Sequence, residues 1–359
     1  MSANSTESFW LEAWYQGRWW LWLLWPLSVL LKLMARLRRN AQASKAQPLA
    51  VPVIVVGNIT LGGTGKTPVI ISLVQYLREK GYRPGVLSRG YGGSAPSYPY
   101  LVTADSPVSE SGDEPLLIAL EAKCPVMVGA DRVASANALI DEHQCDVLLS
   151  DDGLQHYRLS RQWEICVLDA ERLWGNGLCL PAGPLRESPD RLKEVDCIVL
   201  NGHLSVQRSA QLQTPSLLES AHTMALTPRS WHRVSENNVG DDVCTLGALE
   251  VIDEQPSQKV FAITGIGNPK RFFTTLSRLG LNTQNRSFPD HYAFDAEDLN
   301  YIGDDPLLMT AKDAVKCRGF AKPKWWYLSV SADLPDSFWA QLDEFLSAQS
   351  VVGKFDSAG

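Results

Sequence analysis

The sequence lacks the marks of several protein classes. It has 7 cysteines, an odd number, and no two of them are spaced C-x-x-C. That pattern indicates neither a disulfide framework nor a zinc site, and we expect reduced, buried thiols. The formal net charge is −7. A general nucleic-acid-binding protein would carry a basic domain, so no nucleic-acid partner is expected.

Internal repeats and low-complexity segments are also missing. Hydrophobic residues make up 45% of the chain and charged residues 20%, a composition typical of ordinary globular cores. The length of 359 residues is enough for about two domains.

The N-terminal region has no uninterrupted apolar run long enough to span a membrane. Its uncharged stretch covers only residues 19–31 and contains Pro26, whereas a spanning helix needs roughly 20 apolar residues. No A-x-A-like site follows it and the preceding region is not basic, so a cleaved signal peptide is not predicted. A transmembrane anchor is the less favoured alternative.

Tryptophan is what this region has in abundance. Six of the 12 tryptophans lie in residues 9–39, and tryptophan favours the membrane–water boundary. Beyond Pro26 one helical face carries Leu27, Leu30, Leu31, Met34 and Leu37, and another carries Lys32, Arg36 and Arg39. We predict a membrane-associated amphipathic helix within residues 1–40, lying in the interface. The alternative is a helix packed on the protein's own core.

From residue 51 short apolar runs alternate with helical patterns. The runs are 51–56, 85–87, 126–128, 147–149, 165–168 and 197–200. Continuously apolar runs are typical of parallel strands covered on both faces, so we predict an α/β fold. The predicted division is a first domain over 41–225, a polar linker over 226–257 and a smaller α/β domain over 258–359. A cleft between two such domains would suit a two-substrate reaction.

Residues 51–68, VPVIVVGNITLGGTGKTP, predict a phosphate-binding loop. A β-branched strand enters a glycine-rich turn and a helix follows, the context that a P-loop requires. The predicted nucleotide site is Thr60, Leu61, Gly62, Gly63, Thr64, Gly65, Lys66 and Thr67. Backbone N–H groups would surround phosphate oxygens, Lys66 would add charge, and Thr67 would offer its hydroxyl to Mg²⁺.

The loop departs from the strict pattern G-x-x-x-x-G-K-[ST] in one position. Thr60 stands where the first glycine is expected. The alternative reading is a glycine-rich turn that binds no nucleotide. We favour a P-loop NTPase-like parallel sheet domain, because the loop lies correctly between a strand and a helix.

Two pairs of acids are candidates for metal and base. Asp151 and Asp152 end an apolar strand, where P-loop proteins hold Mg²⁺; a turn or helix-cap aspartate is the alternative. Asp113 and Glu114 begin a helical pattern. They either complement the helix dipole or place a carboxylate near an acceptor hydroxyl.

His291 lies between turn signals in the predicted second domain. A histidine in a loop is often incidental. If the fold pairs it with an aspartate, it would tune a general base.

Eight stretches together resemble the tetraacyldisaccharide 4'-kinase, or lipid A 4'-kinase, family. They are GNITLGGTGKTP (57–68), SRGYGG (88–93), GDEP (112–115), DDGLQH (151–156), LPAGPLRE (180–187), GIGNP (265–269), DH (290–291) and TAKDAVK (310–316). The resemblance runs from the N-terminal helix to about residue 331. In the last stretch the family pattern has Glu where this chain has Ala311.

The resemblance implies a reaction and a place. An enzyme of this family would transfer the γ-phosphate of ATP to the 4'-hydroxyl of a tetraacyldisaccharide 1-phosphate, a lipid A precursor. ATP and Mg²⁺ are the implied cofactors, and the implied location is peripheral, on the cytoplasmic face of the inner membrane. We expect a monomer.

The resemblance also implies roles for individual residues. Asp113 would act as base together with His291, and Lys66 would be catalytic. The implied Mg²⁺ ligands are Thr67, Glu114, Asp151 and Asp152. The candidate phosphate or sugar contacts are Arg89, Arg132, Gln155 and Arg186. Two other functions stay open on the residues alone: a membrane-recruited P-loop ATPase switch, and a nucleotide-binding scaffold without catalysis.

Overall fold

The computed structural model describes residues 3–204, 215–234, 243–246 and 259–356. The helices are α1 Ala3–Gln16, α2 Trp25–Ala43, α3 Lys66–Glu79, α4 Val108–Ser111, α5 Asp113–Ala122, α6 Arg132–Asp141, α7 Pro269–Arg278, α8 Ala311–Cys317 and α9 Asp336–Asp356. The strands are β1 Val53–Gly57, β2 Pro84–Ser88, β3 Tyr100–Val102, β4 Val126–Val128, β5 Val147–Asp151, β6 Trp163–Asp169, β7 Cys197–Asn201, β8 His222–Arg233, β9 Val243–Thr245, β10 Val260–Thr264, β11 Thr283–Ser287, β12 Leu307–Thr310 and β13 Trp325–Asp333.

The chain forms two compact units, each assembled from separate segments. Unit 1 is Met1–Ser88, Asp131–Leu226 and Ala332–Gly359, and unit 2 is Arg89–Ala130 and Thr227–Ser331. The division predicted from the sequence was contiguous, and it assigned residues 89–130 and 332–359 differently. Its linker over 226–257 coincides in part with β8, and residues 235–242 and 247–257 lie outside the described part.

Unit 1 contains a parallel sheet in the strand order β2–β5–β1–β6–β7–β8. Every residue of β1, β5, β6 and β7 is buried, as the continuous apolar runs predict. The carboxyl ends of parallel strands meet at one edge of a sheet. Asn58, Asp152 and Asn201 therefore come to the same edge, where α3 also begins.

The C-terminal helix α9 belongs to unit 1. Trp339 stacks on Tyr76 of α3 with ring centroids 4.2 Å apart, and Asp343 accepts hydrogen bonds from Tyr76 and Lys80 at 2.9 Å. His222 of β8 also lies 3.1 Å from Ser337. Helix α9 thus shares the core of unit 1 with α3 and β8.

Unit 2 contains the parallel pairs β10–β11, β10–β12 and β12–β13, and the antiparallel pairs β3–β4 and β8–β9. Neighbouring residues of β12 and β13 alternate between two apolar clusters. Leu307 and Trp325 lie in one, and Leu308 and Trp326 in the other. This alternation is what a strand covered on both faces requires.

Helices α1 and α2, with the 3₁₀ helix Trp19–Leu24 between them, form what we call the N-terminal foot. Its large exposed apolar side chains are Phe9, Trp19, Trp22, Leu23, Trp25, Leu27, Val29, Leu30, Leu31, Leu33, Met34 and Leu37. In α2 the buried side chain is polar. Ser28 donates to the Cys179 carbonyl at 2.8 Å and accepts from the Ala182 N–H at 3.0 Å.

The foot is also held by a small apolar cluster. Ala13, Trp14 and Leu21 are buried in it, and Leu61 and Leu180 of unit 1 pack against them. Trp14 Nε1 donates to the Pro181 carbonyl at 3.0 Å. The rest of unit 1 therefore anchors the foot beside the glycine-rich loop.

The segment Trp19–Ala43 is longer than the sequence count indicated. Its 25 residues are long and apolar enough to cross a membrane, by length and composition alone. Pro26 does not interrupt it, because it lies in the first turn of α2, where proline is tolerated. Length and composition are therefore compatible with a span as well as with the predicted helix in the membrane interface, and the interfacial helix stays a prediction.

We expect Ser28→Val to destabilise the protein by about 1–3 kcal/mol, because it leaves the Ala182 N–H and the Cys179 carbonyl without their partner. Urea unfolding in detergent measures this. Leu30→Ala, at an exposed position of the same helix, should stay within about 0.5 kcal/mol of wild type. Equal stability of Ser28→Val and wild type would show that this contact does not anchor α2.

Candidate active site

The glycine-rich loop of unit 1 has the conformation of an anion-binding turn. Gly62 and Gly65 have φ of 94° and 95°, a region that side-chain-bearing residues rarely adopt. Helix α3 begins at Lys66, directly after Gly65. The N-terminus of a helix and the amides before it favour a bound phosphate.

Thr60 is compatible with the loop because its backbone is extended at this position and not turned. It is 2% exposed and forms an antiparallel bridge to Leu185. The Leu61 N–H donates to the Pro184 carbonyl at 2.9 Å. The first half of the loop is thus extended and fixed by the 180–187 stretch.

Asp152 is surrounded by two cations. Its carboxylate lies 3.5 Å from Lys66 Nζ and 2.7 Å from Arg186 Nη1. Burial raises the pKa of Asp152, but Lys66 and Arg186 outweigh that effect and bring it down to about 2. Asp152 is therefore ionised and ties Lys66 to the end of β5.

Asp151 is held by the side chains of Ser88 and Arg132. Ser88 Oγ donates to its carboxylate at 3.1 Å. Arg132, only 3% exposed, donates to its main-chain carbonyl and to that of Leu87, each at 2.8 Å. This placement favours a bracing role for Arg132 over the predicted contact with substrate.

Gln155 links the loop to the 180–187 stretch. Its Nε2 donates to the Asn58 carbonyl at 3.1 Å and to Glu187 at 2.9 Å, and its Oε1 accepts from Arg186 at 3.4 Å. Arg89 belongs to unit 2 and its side chain is exposed. Substrate contacts by Gln155, Arg186 and Arg89 stay predictions.

Unit 2 brings Asp113 and His291 together, although 178 residues separate them. His291 Nδ1 lies 3.0 and 3.2 Å from the two carboxylate oxygens of Asp113. Asp113 is the first residue of α5, after Gly112, whose φ is 83°. A Cβ on Gly112 would lie 2.6 Å from the Tyr91 carbonyl, so this turn needs glycine. The pairing that the histidine hypothesis required exists, and its catalytic role stays a prediction.

Lys312 completes this cluster, and sequence reasoning missed it. Its Nζ lies 3.1 Å from Asp290, 3.2 Å from Glu114 and 3.2 Å from His291 Nε2. An ammonium can only donate, so the neutral His291 ring accepts at Nε2 and donates from Nδ1 to Asp113. The TAKDAVK stretch contains Lys312, but nothing local in it indicates the acids and the histidine that lie around its ammonium.

The charges of the cluster stabilise one another. Burial raises the pKa of Asp113, but the His291 hydrogen bond and the charge of Lys312 lower it by more, so the net shift is downward. The hydrogen bond to Asp113 raises the pKa of His291, against burial and the charge of Lys312. Burial lowers the pKa of Lys312, yet Glu114, Asp113 and Asp290 bring it well above its ordinary value.

The acids at the end of β5 fit a magnesium ion that takes further ligands from a phosphate. Within the described residues no group of three or more His, Cys, Asp or Glu side chains could hold a metal by itself. Mg²⁺ in nucleotide sites needs only one or two carboxylates. Asp152 Oδ1 is buried and makes no hydrogen bond in the described part of the chain. Glu114 is paired with Lys312, so its assignment to the metal stays a prediction.

A sequence profile for tetraacyldisaccharide-1-P 4'-kinase (LpxK) matches residues 20–347. A tetraacyldisaccharide 4'-kinase of Hahella chejuensis is 43% identical over 347 residues, which cover 94% of this chain and 96% of that protein. The chain belongs to the tetraacyldisaccharide 4'-kinase family.

Two further relatives agree with this assignment. The tetraacyldisaccharide 4'-kinase of Shewanella amazonensis is 42% identical over 358 residues, covering 98% of this chain and 99% of its own. The crystal structure of LpxK from Aquifex aeolicus, in complex with ATP, matches with a TM-score of 0.70 at 26% identity. The match covers 92% of this chain and 99% of the Aquifex aeolicus chain. The predictions of the family, of a mixed α/β fold and of a kinase are confirmed.

We expect Asp113→Asn to lower the pKa of His291 below the ordinary value of 6.5, because burial and Lys312 would then act without the carboxylate. In the wild type the raised pKa means that the stability from this pair is fully present below pH 6.5 and is lost as pH rises through the raised pKa. Titration of the His291 ring signal by NMR measures the pKa in the wild type and in the variant. Glu110→Gln, in the same unit, should leave the signal unchanged. An unshifted pKa in Asp113→Asn would contradict the pairing.

Proposed function

We propose that this protein transfers the γ-phosphate of ATP to the 4'-hydroxyl of a tetraacyldisaccharide 1-phosphate at a membrane surface. Family membership supports the reaction. The observation that carries the proposal is the pairing of buried Asp113 with half-buried His291 in unit 2. An enzyme that moves phosphate to an alcohol needs a positioned carboxylate for the hydroxyl, in addition to a nucleotide site.

Unit 1 would supply the nucleotide site. The amides of the glycine-rich loop and Lys66 would hold the β- and γ-phosphates of ATP. Thr67, Asp151 and Asp152 would hold Mg²⁺, which neutralises charge on the phosphates when bound. Arg186 lies beside Asp152 and adds a second cation near this point. The ATP bound to the Aquifex aeolicus relative supports this assignment.

Unit 2 would supply the base. His291 Nδ1–H holds the Asp113 carboxylate in place, and Lys312 keeps the histidine ring oriented from its other side. As the sugar oxygen forms its bond to the γ-phosphorus, the bond from that phosphorus to the ADP oxygen breaks. The hydroxyl proton passes to Asp113, whose low pKa keeps it ionised until the hydroxyl becomes acidic in the transition state.

The N-terminal foot would dock the protein on lipid. Trp19, Trp22 and Leu23 are 76%, 62% and 74% exposed. A contiguous apolar surface of this kind is typical of interaction sites, and tryptophan and basic residues favour an anionic bilayer surface. We place the protein on the cytoplasmic face of the inner membrane, peripherally bound.

A membrane-recruited ATPase switch is the second candidate. It would use the same loop and foot. It gives no role to the Asp113–His291–Lys312 cluster, so the cluster favours the kinase.

We expect Asp113→Ala to lower kcat by about 10²–10⁴-fold, the usual contribution of a general base, with a smaller loss for His291→Ala. Transfer of γ-³²P from ATP to a tetraacyldisaccharide 1-phosphate in detergent micelles measures this. Lys66→Ala should give no labelled lipid, and Glu110→Gln is the neutral control. Full turnover in both Asp113→Ala and His291→Ala would refute the base assignment. ATP hydrolysis by the wild type without labelled lipid would favour the switch.

We expect the triple variant Trp19→Gln, Trp22→Gln, Leu23→Gln to bind vesicles of anionic and zwitterionic phospholipid at least about 100-fold more weakly. Each large apolar side chain removed from the lipid costs about 1.5–3 kcal/mol. Co-sedimentation with the vesicles measures binding. Tyr301→Gln alters an exposed aromatic residue of unit 2 and serves as the control. Unchanged sedimentation of the triple variant would rule out the foot as the docking surface.

A further inference from the structure

The carbonyl groups of the glycine-rich loop must be satisfied from behind the loop. A loop binds phosphate when its N–H groups point at the anion, which turns several of its carbonyls the other way. A carbonyl buried without a donor is costly, so the loop needs donors on the side away from the phosphate. The loop residue Thr64 is only 4% exposed, which makes this requirement strict.

Asn201 meets the requirement at Thr64. It ends β7, is 2% exposed, and donates from Nδ2 to the Thr64 carbonyl at 2.9 Å. Its amide also fills the space where a side chain on Gly65 would begin, because a Cβ there would lie 2.5 Å from Asn201 Nδ2. Gly65 therefore allows both the left-handed backbone and the close approach of the amide.

Asn58 meets the requirement from the neighbouring strand. It follows β1, is completely buried, and its Nδ2 lies 3.3 Å from the Gly62 carbonyl and 3.4 Å from Thr64 Oγ1. The Gly62 carbonyl can only accept, so it fixes the orientation of the Asn58 side-chain amide. In the flipped amide, Asn58 Oδ1 would face the Gly62 carbonyl oxygen. Gln155 Nε2 donates to the main-chain carbonyl of Asn58 and so holds the backbone there.

We propose that Asn58 and Asn201 form an amide clamp that fixes the glycine-rich loop in its phosphate-binding conformation. Both are positioning residues, since they hold the loop and do not themselves reach the phosphates. The inference rests on the proposed ATP site. It adds to that site two residues that set the affinity for the nucleotide through the backbone.

The direct test replaces the donor with an acceptor of the same shape. In Asn201→Asp and Asn58→Asp we expect the Kd and KM for ATP to rise about tenfold, the effect of losing one hydrogen bond to a buried carbonyl. The KM for the lipid acceptor should stay within about twofold of wild type, because the clamp acts only on the loop. Asn201→Leu removes the donor without adding charge and should give the same increase, which keeps the test valid if an aspartate variant fails to fold.

Asn176→Asp is a matched control. Asn176 also lies in unit 1 and donates from Nδ2 to a main-chain carbonyl, that of Ala182, at 2.8 Å. Its variant should lose as much thermal stability as the clamp variants and keep the wild-type Kd for ATP. Binding of a fluorescent ATP analogue, measured beside thermal unfolding, separates the two effects.

The outcomes are distinct. Weaker ATP binding in the clamp variants but not in Asn176→Asp supports the clamp. Tight ATP binding by the wild type and by all variants would overturn the clamp and leave the proposed function intact. A wild type that binds no ATP would overturn both.

Discussion

The pairing of β1 with β5 is the constraint on which the nucleotide site depends. Val56 lies opposite Asp151 in this parallel pair, so the loop that leaves β1 and the two aspartates that end β5 come out at the same edge. A shift of one residue would turn every side chain of β5 to the other face. The 3.5 Å separation of Lys66 from Asp152 is a consequence of this register. The apolar side chains that bury both strands thus determine where the charges lie.

Local sequence was sufficient for features that are themselves local. The glycine-rich loop was identifiable because its glycines, its lysine and the strand before it are consecutive, and the short apolar runs similarly indicated buried parallel strands. Asp113 and Glu114 were found as acids at a helix start. Their partner His291 came only from the family resemblance, and Lys312 was not predicted, because both residues approach these acids only through tertiary contacts within unit 2. Arg132 was predicted as a phosphate or sugar contact, and nothing in a helical pattern reveals that its guanidinium lies buried against β2 and β5.

The division into units was harder to predict for the same reason. Composition along the chain shows where an apolar run begins and ends, but not which run it packs against. Residues 89–130 have the same character as their neighbours and still belong to unit 2, and α9 follows the last strand of unit 2 but packs on α3. A contiguous division is the simplest reading of a chain whose long-range contacts are unknown.

The position of α9 has a consequence for the order in which the protein can be made. The helix covers α3 through Trp339 and Asp343, and it is synthesised after every residue of unit 2. A ribosome releases all of unit 2 before it releases α9, so one side of α3 in unit 1 stays uncovered while unit 2 is completed. Unit 2 is therefore the part whose whole chain is available first for folding during translation.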